Sequence, residues 1–166
     1  SAKLAALGYL SASGARPTGQ LPDPKSRIAA LAEFGGATTL LAQKKNAEAA
    51  AALVKIARDN PSMVEAWTLL GSAYRRMQEY DKALADYSQA IQLDPNYAPA
   101  YKNRGNTYRR KGDYDRAIAD YDQALRLNPK DVAAYNSRGN VWGEKGDYDR
   151  AIADFDEVLR LNPNYA

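Results

Sequence analysis

The sequence contains no cysteine and no histidine. Disulfides are therefore excluded, and so are zinc sites built from Cys and His and the commonest general base of enzymes. The lack of cysteine assigns no compartment, because reducing and oxidising environments both tolerate it. No apolar run approaches the roughly 20 residues that a membrane-spanning helix needs. Phe, Trp and Met occur only twice each, so the twelve tyrosines carry most of the aromatic surface. No phosphate-binding glycine loop is present: Gly35-Gly36 has no Gly-Lys-Ser/Thr after it. At 166 residues and a net charge of +3 the chain is one domain, or one domain with a tail.

What the sequence does have is a period. Residues 98–131 and 132–165 are identical at 21 of 34 aligned positions, and residues 64–97 keep the same skeleton. An internal repeat of this length marks stacked helical pairs. Each block carries an aromatic (Trp67, Tyr101, Tyr135), a glycine four residues on (Gly71, Gly105, Gly139), and a second aromatic three after that (Tyr74, Tyr108, Trp142). Spacings of four and three place these on one helical face. A glycine costs about 1 kcal/mol against Ala inside a helix, so its recurrence implies close approach of a second helix. That second helix carries a small residue (Ala83, Ala117, Ala151), an aromatic one turn later (Tyr87, Tyr121, Phe155), and a terminating proline (Pro95, Pro129, Pro163). Helix A is expected over Ala98 to Lys111 and helix B over Tyr114 to Leu127, joined by a Lys-Gly-Asp turn.

This spacing of residue types is similar to the tetratricopeptide repeat (TPR) pattern, and the resemblance covers Val64 to Tyr165. It implies an all-α fold: a right-handed superhelical array of antiparallel helix pairs. The departures are Arg104 and Arg138, which replace the usual Leu before the glycine, and Val158, which replaces a small residue. With Asp120 and Asp154 beside the helix B aromatic, an Arg–Asp bond between the two helices is expected in both repeats. The resulting division is 1–23 leader or linker, 24–63 a degenerate first TPR-like helix pair, then TPRs at 64–97, 98–131 and 132–165. In the degenerate pair, helices are expected from Asp23-Pro24 and over Asn46 to Arg58, with Ile28, Leu31, Phe34, Leu40 and Leu41 on the apolar side. Gly35-Gly36 should weaken the first of them.

The leader, SAKLAALGYLSASGARPTGQLPD, is rich in Gly, Pro, Ser and Ala and reads as linker. Its LAALGYLSASG followed by LPDPKSRI resembles the segment that ends the catalytic domain of some bacterial sulfatases before an appended TPR array. A simple Ala-rich leader and a short signal-like segment are the alternatives. The sulfatase nucleophile motif C/S-x-P-x-R is not present, so sulfatase chemistry would lie upstream of Ser1.

Catalytic, cofactor and metal residues are not expected. The carboxylates Asp113, Asp115, Asp120 and Asp122 recur as Asp147, Asp149, Asp154 and Asp156, which marks them as architectural. The tyrosines could stack on single-stranded nucleic acid, but their skeleton positions make them packing residues, and neither a nucleic-acid nor a membrane partner is expected. The TPR resemblance implies a concave groove lined by the second, fifth, ninth and twelfth places of each repeat. The candidate peptide-binding residues are therefore Thr68, Ser72, Arg75, Lys102, Asn106, Arg109, Asn136 and Asn140. Lys102 and Asn106 match half of the carboxylate clamp of chaperone-binding TPRs, whereas Ser137 stands where the next repeat of a clamp has Asn. The 98–131 block is the basic one, at +3 against −2 for each neighbour. An acidic peptide or C-terminal carboxylate is the expected partner, with a solvated polar face as the plainer alternative. An array of this kind would otherwise serve as a spacer or self-assembly unit. No polar capping helix follows Tyr165, so Val158, Leu159 and Leu161 are expected to be uncovered and to mediate self-association.

Overall fold

The computed structural model describes residues 24–163, with side chains from Ile28 onward. The leader, its Asp23 cap and its sulfatase-like resemblance lie outside the described residues. Eight helices and no strand occupy that span: α1 (Pro24–Ala42), α2 (Asn46–Asp59), α3 (Val64–Arg76), α4 (Tyr80–Leu93), α5 (Ala98–Arg110), α6 (Tyr114–Leu127), α7 (Val132–Glu144) and α8 (Tyr148–Leu161). The fold is an all-α solenoid of antiparallel pairs.

The pairs form where the glycine–aromatic pattern directs. A Cβ on Gly71 would lie 2.9 Å from the Tyr87 ring; on Gly105, 3.0 Å from Tyr121 and 3.1 Å from the Ala117 carbonyl; on Gly139, 2.9 Å from Phe155. Each glycine is thus the seat for the helix B ring of its own repeat. Tyr87 and Tyr121 are fully buried there, and buried rings of this size are among the largest contributors to a core. Ala83 and Ala117 are likewise inaccessible, and Ala151 nearly so.

The connections are equally periodic. Pro99 sits in the first turn of α5, where its missing N–H costs nothing. Asp113, Asp131 and Asp147 cap α6, α7 and α8 by accepting from Arg116 N, Ala134 N and Arg150 N. Between helix A and helix B one residue is left-handed in every pair: Lys44 (φ 62°), Gln78 (φ 63°), Gly112 (φ 77°) and Gly146 (φ 81°). These positions are 34 residues apart. The same turn therefore recurs in α1–α2, where Lys44 conceals it from a reading that looks for glycine.

The structure corrects two expectations about apolar faces. Ile28 is 68% exposed, because the core of α1 is built at its other end, around Ala37 and Leu41. Val158 is buried, at 3% exposure, and Leu161 half-buried; the large exposed apolar residues of α8 are Tyr148, Ile152 and Leu159. Helix α1 runs unbroken through Gly35-Gly36, and the Thr38 and Thr39 hydroxyls both donate to the Gly35 carbonyl there.

Candidate functional site

Helices α1, α3, α5 and α7 each approach the next in line closely, whereas the backbones of α2, α4, α6 and α8 stay apart from one another. The A helices therefore form a continuous inner wall and the B helices are splayed outside it. The candidate residues occupy this wall in three ranks, spaced by one repeat.

The first rank is mostly committed to the fold. Thr68 is 5% exposed and its hydroxyl donates to the Val64 carbonyl at 2.9 Å. Ser72 donates to the Thr68 carbonyl and lies 3.0 Å from the Tyr87 hydroxyl. Arg75 is half-buried, and its Nε has no hydrogen-bond partner among the described residues. Burial pushes the Tyr87 phenol up, offset in part by hydrogen bonding from Ser72 and by the charge and hydrogen bonding of Arg75, whose guanidinium lies against the ring hydroxyl.

In the second rank the cations are already paired. Lys102 Nζ is 2.7 Å from Asp131, the cap of α7. Arg109 grips Glu144 from Nε and Nη2, at 3.0 and 2.5 Å to one carboxylate oxygen, and this holds the Glu144 carboxyl below its ordinary range. Asn106 accepts from the Tyr121 hydroxyl at 2.7 Å. The Tyr121 phenol is pushed up to about 12, chiefly by burial.

The third rank is different. Phe155 replaces the buried tyrosine, so Asn140 has no hydroxyl beneath it. Asn136 and Asn140 are half-buried and make no side-chain hydrogen bond among the described residues. Each can donate to and accept from a peptide backbone. Among the candidate residues, open hydrogen-bonding capacity thus remains at Arg75 Nε, Asn136 and Asn140, flanked by the Lys102–Asp131 and Arg109–Glu144 pairs. Sequence reasoning missed Asp131 and Glu144 because their partners stand 29 and 35 residues away. The 34-residue period that brings such residues side by side was the available signal.

On the B side, the expected Arg–Asp bonds form. Arg104 donates from Nε and Nη2 to both carboxylate oxygens of Asp120, at 2.8 and 2.7 Å, and from Nη1 to Ser88 of the preceding helix B. Arg138 repeats this with Asp154, at 2.9 and 2.6 Å, and with Asp122. Asp120 and Asp154 are 6% and 4% exposed. These bonds clamp helix A to two successive B helices.

Family models for the tetratricopeptide repeat match residues 64–97 and 102–166, together more than half of the chain. No curated protein matches. Among solved structures, a crystal structure of MamA is 28% identical, covers 81% of this chain and 78% of its own, and superposes with a TM-score of 0.75. YrrB, described as a TPR protein with an unusual peptide-binding site, is 20% identical over 82% of this chain and 71% of its own, with a TM-score of 0.71. The first TPR of Spaghetti (RPAP3), bound to the HSP90 peptide SRMEEVD, is 28% identical over 61% of this chain and 80% of its own, with a TM-score of 0.59.

Proposed function

We propose that this chain, which belongs to the tetratricopeptide repeat family over residues 64–97 and 102–166, is a non-catalytic interaction module that binds an extended acidic peptide along its A-helix wall. One observation carries the reading: on a wall where Thr68, Ser72, Lys102, Asn106 and Arg109 all bond within the fold, Arg75 Nε and the side chains of Asn136 and Asn140 keep unused capacity. The two asparagines suit the amides and carbonyls of an extended chain, and Arg75 suits a carboxylate. Lys102 and Arg109 add positive potential, although each guest carboxylate there must compete with Asp131 or Glu144. RPAP3 is similar to residues of this chain and was solved with an acidic peptide ending in Asp, which supports the class of partner.

Fluorescence anisotropy of a labelled acidic peptide library tests the proposal. Arg75→Ala should lose about 1–3 kcal/mol of binding, the worth of a charge-assisted bond. Lys102→Glu/Arg109→Glu should weaken binding further, and added salt should weaken it in all variants. A preference for basic peptides, or affinity unchanged by these substitutions, would contradict it.

A second reading is favoured by the exposed stripe on α8. Tyr148, Ile152 and Leu159 are 69%, 57% and 51% exposed, whereas the matching Ile118 and Leu125 of α6 are 8% and 6% exposed. In this reading the α8 face joins another helical unit, such as a second copy of the chain. A role as the accessory region of a sulfatase-like hydrolase rests on the leader alone, and the full reading frame tests it.

A further inference from the structure

The Arg104 and Arg138 bonds have a counterpart without an arginine. Arg104 lies 5.7 Å from the Tyr101 ring centre and 6.0 Å from that of Tyr108 while holding Asp120. Arg138 lies 5.6 Å from the Tyr135 ring while holding Asp154. One repeat earlier the aromatics and the acid are all present, as Trp67, Tyr74 and Asp86. Leu70 stands where the arginine would be. On the preceding helix B, Val54 replaces the Ser88 and Asp122 that receive the outer guanidinium nitrogen in the later repeats.

The consequence is an unanswered carboxylate. Asp86 Oδ2 is buried and has no hydrogen-bond partner among the described residues. Burial pushes the Asp86 carboxyl up to about 7. Asp86 lines a cleft of about 520 Å³ between α2, α3 and α4, with Trp67, Leu70 and Tyr74 on its walls. Two cations, Arg58 and Lys82, also border the cleft. Lys82 pairs with Glu79 and lies 5.1 Å from the Tyr74 ring, as Arg116 and Arg150 lie over Tyr108 and Trp142. Neither Arg58 nor Lys82 forms an ion pair with Asp86.

We infer that this cleft receives the guanidinium of an arginine side chain from a partner protein, in the setting of aromatic ring and carboxylate that Arg104 and Arg138 fill from within their own repeats. A planar guanidinium can stack on Trp67 or Tyr74 and still offer two parallel N–H donors to Asp86. A lysine offers a point charge and no such fork. The site lies on the B-helix side and does not depend on the groove reading.

The test uses the intact chain and acetyl-Gly-Arg-Gly-amide, followed by the Trp67 indole N–H signal in NMR, with the Trp142 signal as internal control. The arginine peptide should shift Trp67 saturably and leave Trp142 in place. The lysine peptide should bind about tenfold more weakly, and the uncharged citrulline peptide should not bind. Asp86→Asn, a near-isosteric change, should keep the helical circular dichroism and abolish the shift. Leu70→Arg should abolish it too and raise the Tm, because the chain then supplies its own guanidinium. No Trp67 shift, equal shifts from arginine and citrulline peptides, or an undiminished shift in folded Asp86→Asn would each overturn the inference.

Discussion

The Tyr121 hydroxyl rises from the buried face of α6 to donate to Asn106 on α5 at 2.7 Å, and one repeat later Phe155 leaves Asn140 without that bond. A single oxygen atom therefore separates a committed asparagine from an available one. Phe155→Tyr should stabilise the fold by about 1 kcal/mol, the net worth of a hydrogen bond between partly buried groups. The same change should weaken peptide binding, because Asn140 becomes occupied. Urea denaturation and peptide anisotropy on one variant read both effects. A stabilised variant with unimpaired binding would remove Asn140 from the groove.

The left-handed turn residue gives a prediction about stability alone. Gln78 holds φ 63° where the later repeats use Gly112 and Gly146. A left-handed conformation costs a non-glycine residue about 1–2 kcal/mol. Gln78→Gly should recover part of that, on the order of 0.5–1 kcal/mol after the greater chain entropy of glycine in the unfolded state. Thermal denaturation should show a raised Tm; a lowered Tm would mean that the Gln78 side chain contributes more than its strained backbone costs.

Asp86 predicts an unusual pH dependence. Its carboxyl titrates at about 7 in the fold, against an ordinary value near 3.8 when unfolded. Between these values the folded state binds the proton and the unfolded state does not, so the contribution of Asp86 to stability is lost as pH rises through this window. The charged neighbours bordering the cleft are Arg58 from α2 and Lys82 from α4. Carboxylates held low by a cation, such as Glu144 beside Arg109, act with the opposite sign, their contribution being lost as pH falls below the ordinary value of 4.5, and they cancel in a comparison with Asp86→Asn. The difference in urea midpoint between wild type and Asp86→Asn isolates the effect: the variant should gain on the wild type from pH 4 to pH 7 and hold that gain above. A constant difference across the window would contradict it.

The α8 stripe predicts association. Tyr148, Ile152 and Leu159 present together the face that α6 buries through Ile118 and Leu125. Sedimentation velocity at rising concentration should show the wild type forming larger species and Leu159→Lys remaining monomeric. A wild type that stays monomeric at every concentration would sink the second reading.

Much of the fold was legible because the 34-residue period states the same packing solution repeatedly. Gly105 needs Tyr121 above it, and Arg104 needs Asp120 beside it, at constant offsets. Ile28 and Val158 were misplaced because exposure at the ends of a stack depends on which neighbours are present, and residue type carries no information about that. The groove was legible as a set of positions but not as a set of available groups. Lys102 and Arg109 look like free cations in sequence, and only the stacking of α5 on α7 shows Asp131 and Glu144 answering them. Asp86 was readable in principle. Its sign was Leu70 standing opposite an acid that is paired with arginine in each later repeat.

The central claim is that a peptide lies along the A-helix wall and engages the asparagines of α7. The most direct measurement is NMR of the side-chain amides of Asn136 and Asn140 during titration with an acidic peptide, run in parallel with the same peptide carrying a spin label at one end. The account predicts that both amide pairs shift saturably with one affinity, that the label broadens signals along α3, α5 and α7 in graded order, and that Arg75→Ala weakens every shift together. Unperturbed Asn136 and Asn140 signals, with broadening confined to α2, α4, α6 or α8, would contradict it.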